Sequence, residues 1–167
     1  TIVKSETTFN ADYTSYISAT ALTNGNVLIA YKDEGTPSYN GRFVIYNSSG
    51  TIVKSETSFN AGETSYISAV SLANGNVFIV YQDVGSSNYG NFVIYDSSGS
   101  IVKSETTFNA GTTSYASATA LTNGNVLIAY RDEGSSNYGN FVIYDSSGSI
   151  VKSETTFNAA STYYISA

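Results

Sequence analysis

The 167-residue chain is long enough to bury a core of its own and carries a formal charge of −6, with 41% hydrophobic and 12% charged residues. It holds no Cys, His, Met or Trp, which excludes a disulfide, a His-ligated metal, a cysteine nucleophile and a Ser-His-Asp triad within it. Its seven basic residues include one lysine recurring four times, too dispersed to form a phosphate-binding patch for nucleic acid, and no run nears the roughly 18 apolar residues of a membrane span.

In chain order, the first element is also the first copy of a repeat. Lys4-Ser5-Glu6-Thr7 returns at positions 54, 103 and 152, spacings of 50, 49 and 49 residues. Residues 51–99 and 100–148 differ at 11 of 49 positions. Such similarity implies one structural unit used several times. The second copy shows its parts. Segment A, Ser65 to Leu72, carries small residues and leads into Asn74-Gly75, a hairpin signal. Segment B, Val77 to Tyr81, is apolar on both faces. A polar loop from Asp83 to Gly90 follows, then segment C, Asn91 to Tyr95, again apolar on both faces. Asp96-Ser97-Ser98-Gly99 makes a turn into segment D, Ile101 to Phe108, which alternates and is charged. No window holds a 3.6-residue period, and Thr, Val, Ile and Tyr favour strands.

The expectation is an all-β, β-propeller-type array of four-stranded antiparallel blades. Small residues suit a crowded innermost strand, bulky two-sided strands suit the space between blades, and a charged strand suits the rim. The boundaries are a D strand at 1–10, complete blades at 16–59, 66–108 and 115–157, and a terminal A strand at 163–167. Val77, Ile79, Phe92 and Ile94, with Val27, Ile29, Phe43, Ile45, Val126, Ile128, Phe141 and Ile143, are expected to be buried. Lys54 and Glu56, and their equivalents, are expected to pair on the exposed D strands.

The order of A strand, Asn-Gly turn, two-sided B strand and Asp-Ser-Ser-Gly turn resembles the blades of sialidase-type β-propellers, in particular non-enzymatic repeats of bacterial extracellular proteins. Residues 95–102 and 144–151 sit where such blades carry an Asp-box, of which only the Gly is kept. Ser97 and Ser146 replace its Asp, and Val102 and Val151 its Trp. The resemblance implies an extracellular or cell-surface location. It carries no catalysis, since sialidases hold the substrate carboxylate with three arginines and this chain has only Arg42 and Arg131. Asp33 and Glu34 point to opposite faces of an extended segment, so they do not form the facing carboxylate pair of a glycosidase. No calcium loop is visible, and no cofactor is expected.

Three blades do not close a ring, which takes four to eight. The unpaired end strands imply that the chain belongs to a longer array or is completed by another copy through strand addition. The B–C loops offer a carboxylate, a ring and an amide each: Asp33, Tyr39 and Asn40; Asp83, Asn88 and Tyr89; Asp132, Asn137 and Tyr138. These groups suit a sugar, and three copies would add avidity. The competing expectation is that each Asp caps its own turn. Non-enzymatic adhesion or glycan binding is therefore the leading functional expectation, with self-assembly into a fibre or surface layer as the alternative.

Overall fold

The computed structural model describes residues 4–35 and 39–167. Eleven strands run in order: β1 (Thr14–Ala21), β2 (Val27–Asp33), β3 (Asn40–Tyr46), β4 (Ile52–Ser71), β5 (Val77–Asp83), β6 (Tyr89–Tyr95), β7 (Ile101–Asn109), β8 (Thr113–Ala120), β9 (Val126–Asp132), β10 (Tyr138–Tyr144) and β11 (Ile150–Asn158). They form an all-antiparallel sheet of seven strands, β1 to β7, and a second of four, β8 to β11.

Pairing resolves these into three meanders. β1, β2, β3 and the first half of β4 make the first; the second half of β4 with β5, β6 and β7 makes the next; β8 to β11 make the third. Each follows the expected A-B-C-D order. The D strand of the first unit and the A strand of the second, expected as two elements, are continuous. They join in β4, whose residues from Ile52 to Glu63 pair with β3 and from Thr64 to Ser71 with β5.

The turns follow from local chemistry. At the A–B hairpin the Gly75 amide donates to the Leu72 carbonyl at 3.0 Å, and Gly75 sits at φ 90°. Asn74 keeps a negative φ. This is a type I turn closed by a left-handed glycine, not the two-residue type that Asn-Gly usually forms.

The cores lie between meanders. Leu28, Ala30, Phe43 and Ile45 of the first pack on Val77, Ile79, Tyr81, Val93 and Tyr95 of the second. Phe78, Val80, Phe92 and Ile94 then pack on Val126, Ile128, Tyr130, Val142 and Tyr144 of the third. The A strands lie side by side: β1 next to the second half of β4, and that next to β8. The Ala69 amide donates to Ser18 Oγ at 3.0 Å, and Ala118 to Ser68 Oγ at the same distance. Small side chains on A permit this approach.

Three sequence expectations are corrected. Val27, Ile29, Phe141 and Ile143 are only half-buried, because they face outward from the first and last meanders, where no further meander covers them. Residues 4–10 and 163–167 form no strand. A D strand needs a C strand of its own unit, and an A strand needs a B strand; neither is available to these segments among the described residues. Residues 1–3 of the expected first strand lie outside the described residues. Finally, no ion pair joins Lys54 to Glu56, Lys103 to Glu105 or Lys152 to Glu154. Glu56 and Glu105 instead accept from the hydroxyls of Tyr31 at 2.6 Å and Tyr81 at 2.5 Å, and Glu154 from that of Tyr130.

Candidate binding face

One edge of the meanders gathers the start of every A strand, the end of every B strand and the B–C loops. The D–A linkers are sewn to those loops: the Thr64 amide donates to the Tyr39 carbonyl at 3.2 Å, Thr113 to Asn88 at 2.9 Å and Thr162 to Asn137 at 3.0 Å. The loop residues singled out by sequence all lie here, in different roles.

Asp33, Asp83 and Asp132 end β2, β5 and β9 and are only 7, 6 and 6% exposed. Asp33 Oδ1 accepts from the Gly35 amide at 3.0 Å and Asn10 Nδ2 at 3.1 Å, and Asp33 Oδ2 lies 3.0 Å from Arg42 Nε. Asp132 Oδ1 accepts from the Gly134 amide at 2.9 Å. These two carboxylates anchor their own turns, as the competing expectation held. Asp83 Oδ1 finds no hydrogen-bond donor among the described residues. Asn88 and Asn137 sit at φ 61° and 64° and use their carbonyls to hold the linkers. Tyr89 and Tyr138 are half-buried, as is Asn40, while Tyr39 is exposed with Lys32 Nζ 4.9 Å from its ring centre.

The feature that sequence reasoning underused is a row of tyrosines. Tyr16, Tyr66, Tyr115 and Tyr164 occupy the same position of successive repeats, and their rings touch in series. Centroids lie 5.4 Å apart for Tyr16 and Tyr66, 5.2 Å for Tyr66 and Tyr115, and 5.6 Å for Tyr115 and Tyr164. All four sit at positive φ, 49°, 50°, 53° and 54°, and the first three lie at a β-bulge, where pairing slips between Ser15 and Ser18, Ser65 and Ser68, and Ser114 and Ser117. A bulky residue avoids this region, at a cost of roughly 1–3 kcal/mol, unless its surroundings hold it. The bulge turns each ring onto its neighbour instead of into the sheet. The sequence signal was available: a tyrosine recurs at the head of every A segment, after Ser in the first three and after Tyr163 in the last.

Charges flank the row in neutralised pairs. Lys32 lies 6.0 Å from the Tyr16 ring centre and bonds Glu63 at 3.1 Å. Arg131 stacks 5.0 Å from Tyr115 and 4.9 Å from Tyr163, and bonds Glu133. Hydrogen bonds from Ser114 and then Arg131 hold the Glu133 carboxyl below its ordinary range. Burial, then the neighbouring Tyr16 and Tyr115, raises the Tyr66 hydroxyl above its own. The row is an aromatic surface with polar hydroxyls, its flanking charges held in pairs. Among the described residues no group of three or more acidic, His or Cys side chains is placed to hold a metal.

No family model and no curated protein matches the sequence. Among solved structures, the chain is similar to a polysaccharide lyase, PL25 ulvan lyase, bound to -[GlcA(1-4)Rha3S]-, with TM-score 0.57 and 14% identity over 81% of this chain and 36% of that one. A second structure of PL25 ulvan lyase gives TM-score 0.55 and 10% identity over 90% and 42%. The chain thus spans about two fifths of those lyase chains. It is an all-β domain similar in fold to part of a polysaccharide lyase.

Proposed function

We propose that the protein is a non-enzymatic, extracellular β-propeller-type repeat module, each meander a blade, that binds an extended glycan along its tyrosine row. The row itself carries this reading. Tyrosine offers a flat apolar ring for the face of a sugar and a hydroxyl for its edge, at small entropic cost. A row of touching rings accepts a polymer where an isolated ring accepts one residue, and strained residues concentrate at binding sites. The fold likeness to a polysaccharide lyase supports the choice of ligand class. The paired cations and the net charge of −6 favour a neutral glycan over a sulfated or uronate-rich one. The charged groups beside the row are held in pairs, Lys32 with Glu63 and Arg131 with Glu133, which suits a surface for binding rather than for proton transfer.

The test is affinity electrophoresis through gels containing neutral polysaccharides and, separately, ulvan. Retardation in a neutral polysaccharide, lowered at least tenfold in affinity by Tyr66→Asn with Tyr115→Asn, is the expected result. Asn tolerates positive φ, so the bulge survives while the rings go. Mobility unchanged in every polysaccharide, or a fall in polymer viscosity on incubation, would overturn the reading.

A further inference from the structure

The two interfaces inside the chain use one recipe. The forward face of a meander (Leu28, Ala30, Phe43 and Ile45 in the first) meets the back face of the next (Val77, Ile79, Val93 and Tyr95). The same aromatic contact recurs, Phe43 to Tyr95 at 4.6 Å and Phe92 to Tyr144 at 4.7 Å. The A–B turn of one meander also reaches the C–D turn of the next: Asn24 Nδ2 donates to the Ser97 carbonyl at 3.1 Å, and Asn76 Nδ2 to that of Ser146 at 2.8 Å.

The chain presents both halves of this interface a third time, apart. The third meander keeps a forward face, Leu127, Ala129, Phe141 and Ile143, with Leu127, Phe141 and Ile143 only half-buried. The first meander keeps a back face, Val27, Ile29, Val44 and Tyr46, where an apolar groove runs between the sheet and residues 4–9. Each face resembles, residue for residue, one that is already covered within the chain.

We propose that a second copy of the chain docks head to tail, its first meander's back face on the third meander's forward face of its neighbour, by sheet-face packing and not by strand addition. The contact has a defined centre: Phe141 on Tyr46, as Phe43 meets Tyr95.

The terminal segments say how the exchange occurs. Phe9 covers Tyr31 at 5.1 Å, as Phe59 covers Tyr81 at 5.1 Å and Phe108 covers Tyr130 at 5.0 Å. The next member of that series, Phe157, is 52% exposed. Residues 4–10 and 152–158 are the same heptapeptide, Lys-Ser-Glu-Thr-Thr-Phe-Asn. In the assembly Phe157 of one copy takes the place of Phe9 on the next copy's Tyr31. At the other end the Ala167 amide bonds Ser117 Oγ at 3.0 Å, where Ala19 of the incoming copy belongs, as Ala69 does on Ser18. Each end segment is a stand-in for its neighbour. Like exchanges for like, and the newly buried apolar faces favour the joined state.

Sedimentation of the full chain over a concentration series tests this. The wild type should associate, into a closed ring if the rotation between meanders closes one and otherwise into larger particles. Phe141→Asp and Ile29→Asp should each give monomers alone, and mixing them should give a 1:1 dimer and nothing larger, since each retains one good face. Leu127→Asp replaces Phe141→Asp if circular dichroism shows the latter unfolded. A wild-type monomer throughout, or a variant mixture that stays monomeric, would each overturn the proposal.

Discussion

A single carboxylate organises the second and third C–D turns. Asp96 Oδ1 accepts from the Ser98 amide at 2.8 Å, Ser98 Oγ at 2.6 Å and the Ser100 amide at 2.9 Å, and Asp145 repeats the pattern. The Asp-box position one residue later holds Ser97 and Ser146; the turn's bonds come from the neighbouring Asp96 and Asp145. At Asp145 the Ser147 side-chain bond and then the Ser149 amide lower the carboxyl's pKa; at Asp96 burial opposes the shift but the Ser98 and Ser100 bonds outweigh it. A carboxylate depressed in the folded state contributes stability above its unfolded pKa of about 3.9 and loses it as pH falls through the folded value. The first repeat uses neutral Asn47 with the same bonds. Asp96→Asn with Asp145→Asn should therefore leave the melting temperature at pH 7 little changed and flatten its decline below about pH 4, read by thermal scans against pH. Deeper in, Tyr81 is fully buried and donates to Glu105. Burial first, then that bond, pushes its hydroxyl far above the tyrosine range. Tyr81→Phe should cost about 1 kcal/mol in urea unfolding.

For the strands and turns, glycine positions separate two kinds of constraint. Gly124 closes its hairpin at φ 85° with nothing within 4 Å of an added Cβ, so Gly124→Ala should cost only the left-handed penalty, about 1–2 kcal/mol. Gly90 has an ordinary φ, but a Cβ there would press 2.5 Å from the Phe108 ring. Gly90→Ala should cost more, because Phe108 must leave Tyr130. Comparing the two by chemical denaturation separates backbone strain from packing. The bulged A strands were half legible. Their small residues and position were read correctly, but a tyrosine at positive φ follows no propensity rule. It is held by the rings on either side, which belong to other repeats.

Across the whole molecule, stability resides between meanders. Phe92 sits in the second of the two interfaces with no exposure and touches both Phe78 and Tyr144. Phe92→Ala should cost about 3–5 kcal/mol. The equivalent Phe141 is half-buried, so Phe141→Ala should cost distinctly less in dilute solution and approach the larger figure once copies associate. Equal costs at low concentration would show that the third meander does not depend on a neighbour. The buried Asp33 and Asp132 belong at this scale too: their removal should loosen the loop edge and lower thermal stability, not strip a ligand contact from an intact surface.

The repeat period, the A-B-C-D order, the turn positions and the burial of Val77, Ile79, Phe92 and Ile94 were settled by sequence alone. Each depends on local conformational preference or on side chains alternating across a strand, and both act over a few residues. Which partner Glu105 takes, which copies of one apolar set are left uncovered, and how four tyrosines form a row were decided by tertiary structure. Those contacts join positions from about 24 residues apart, as in the Tyr81–Glu105 bond, to a full repeat apart. Their geometry comes from sheet faces stacking and A strands lying side by side, which near-identical repeats cannot signal, because every copy reads the same whether or not a neighbour covers it.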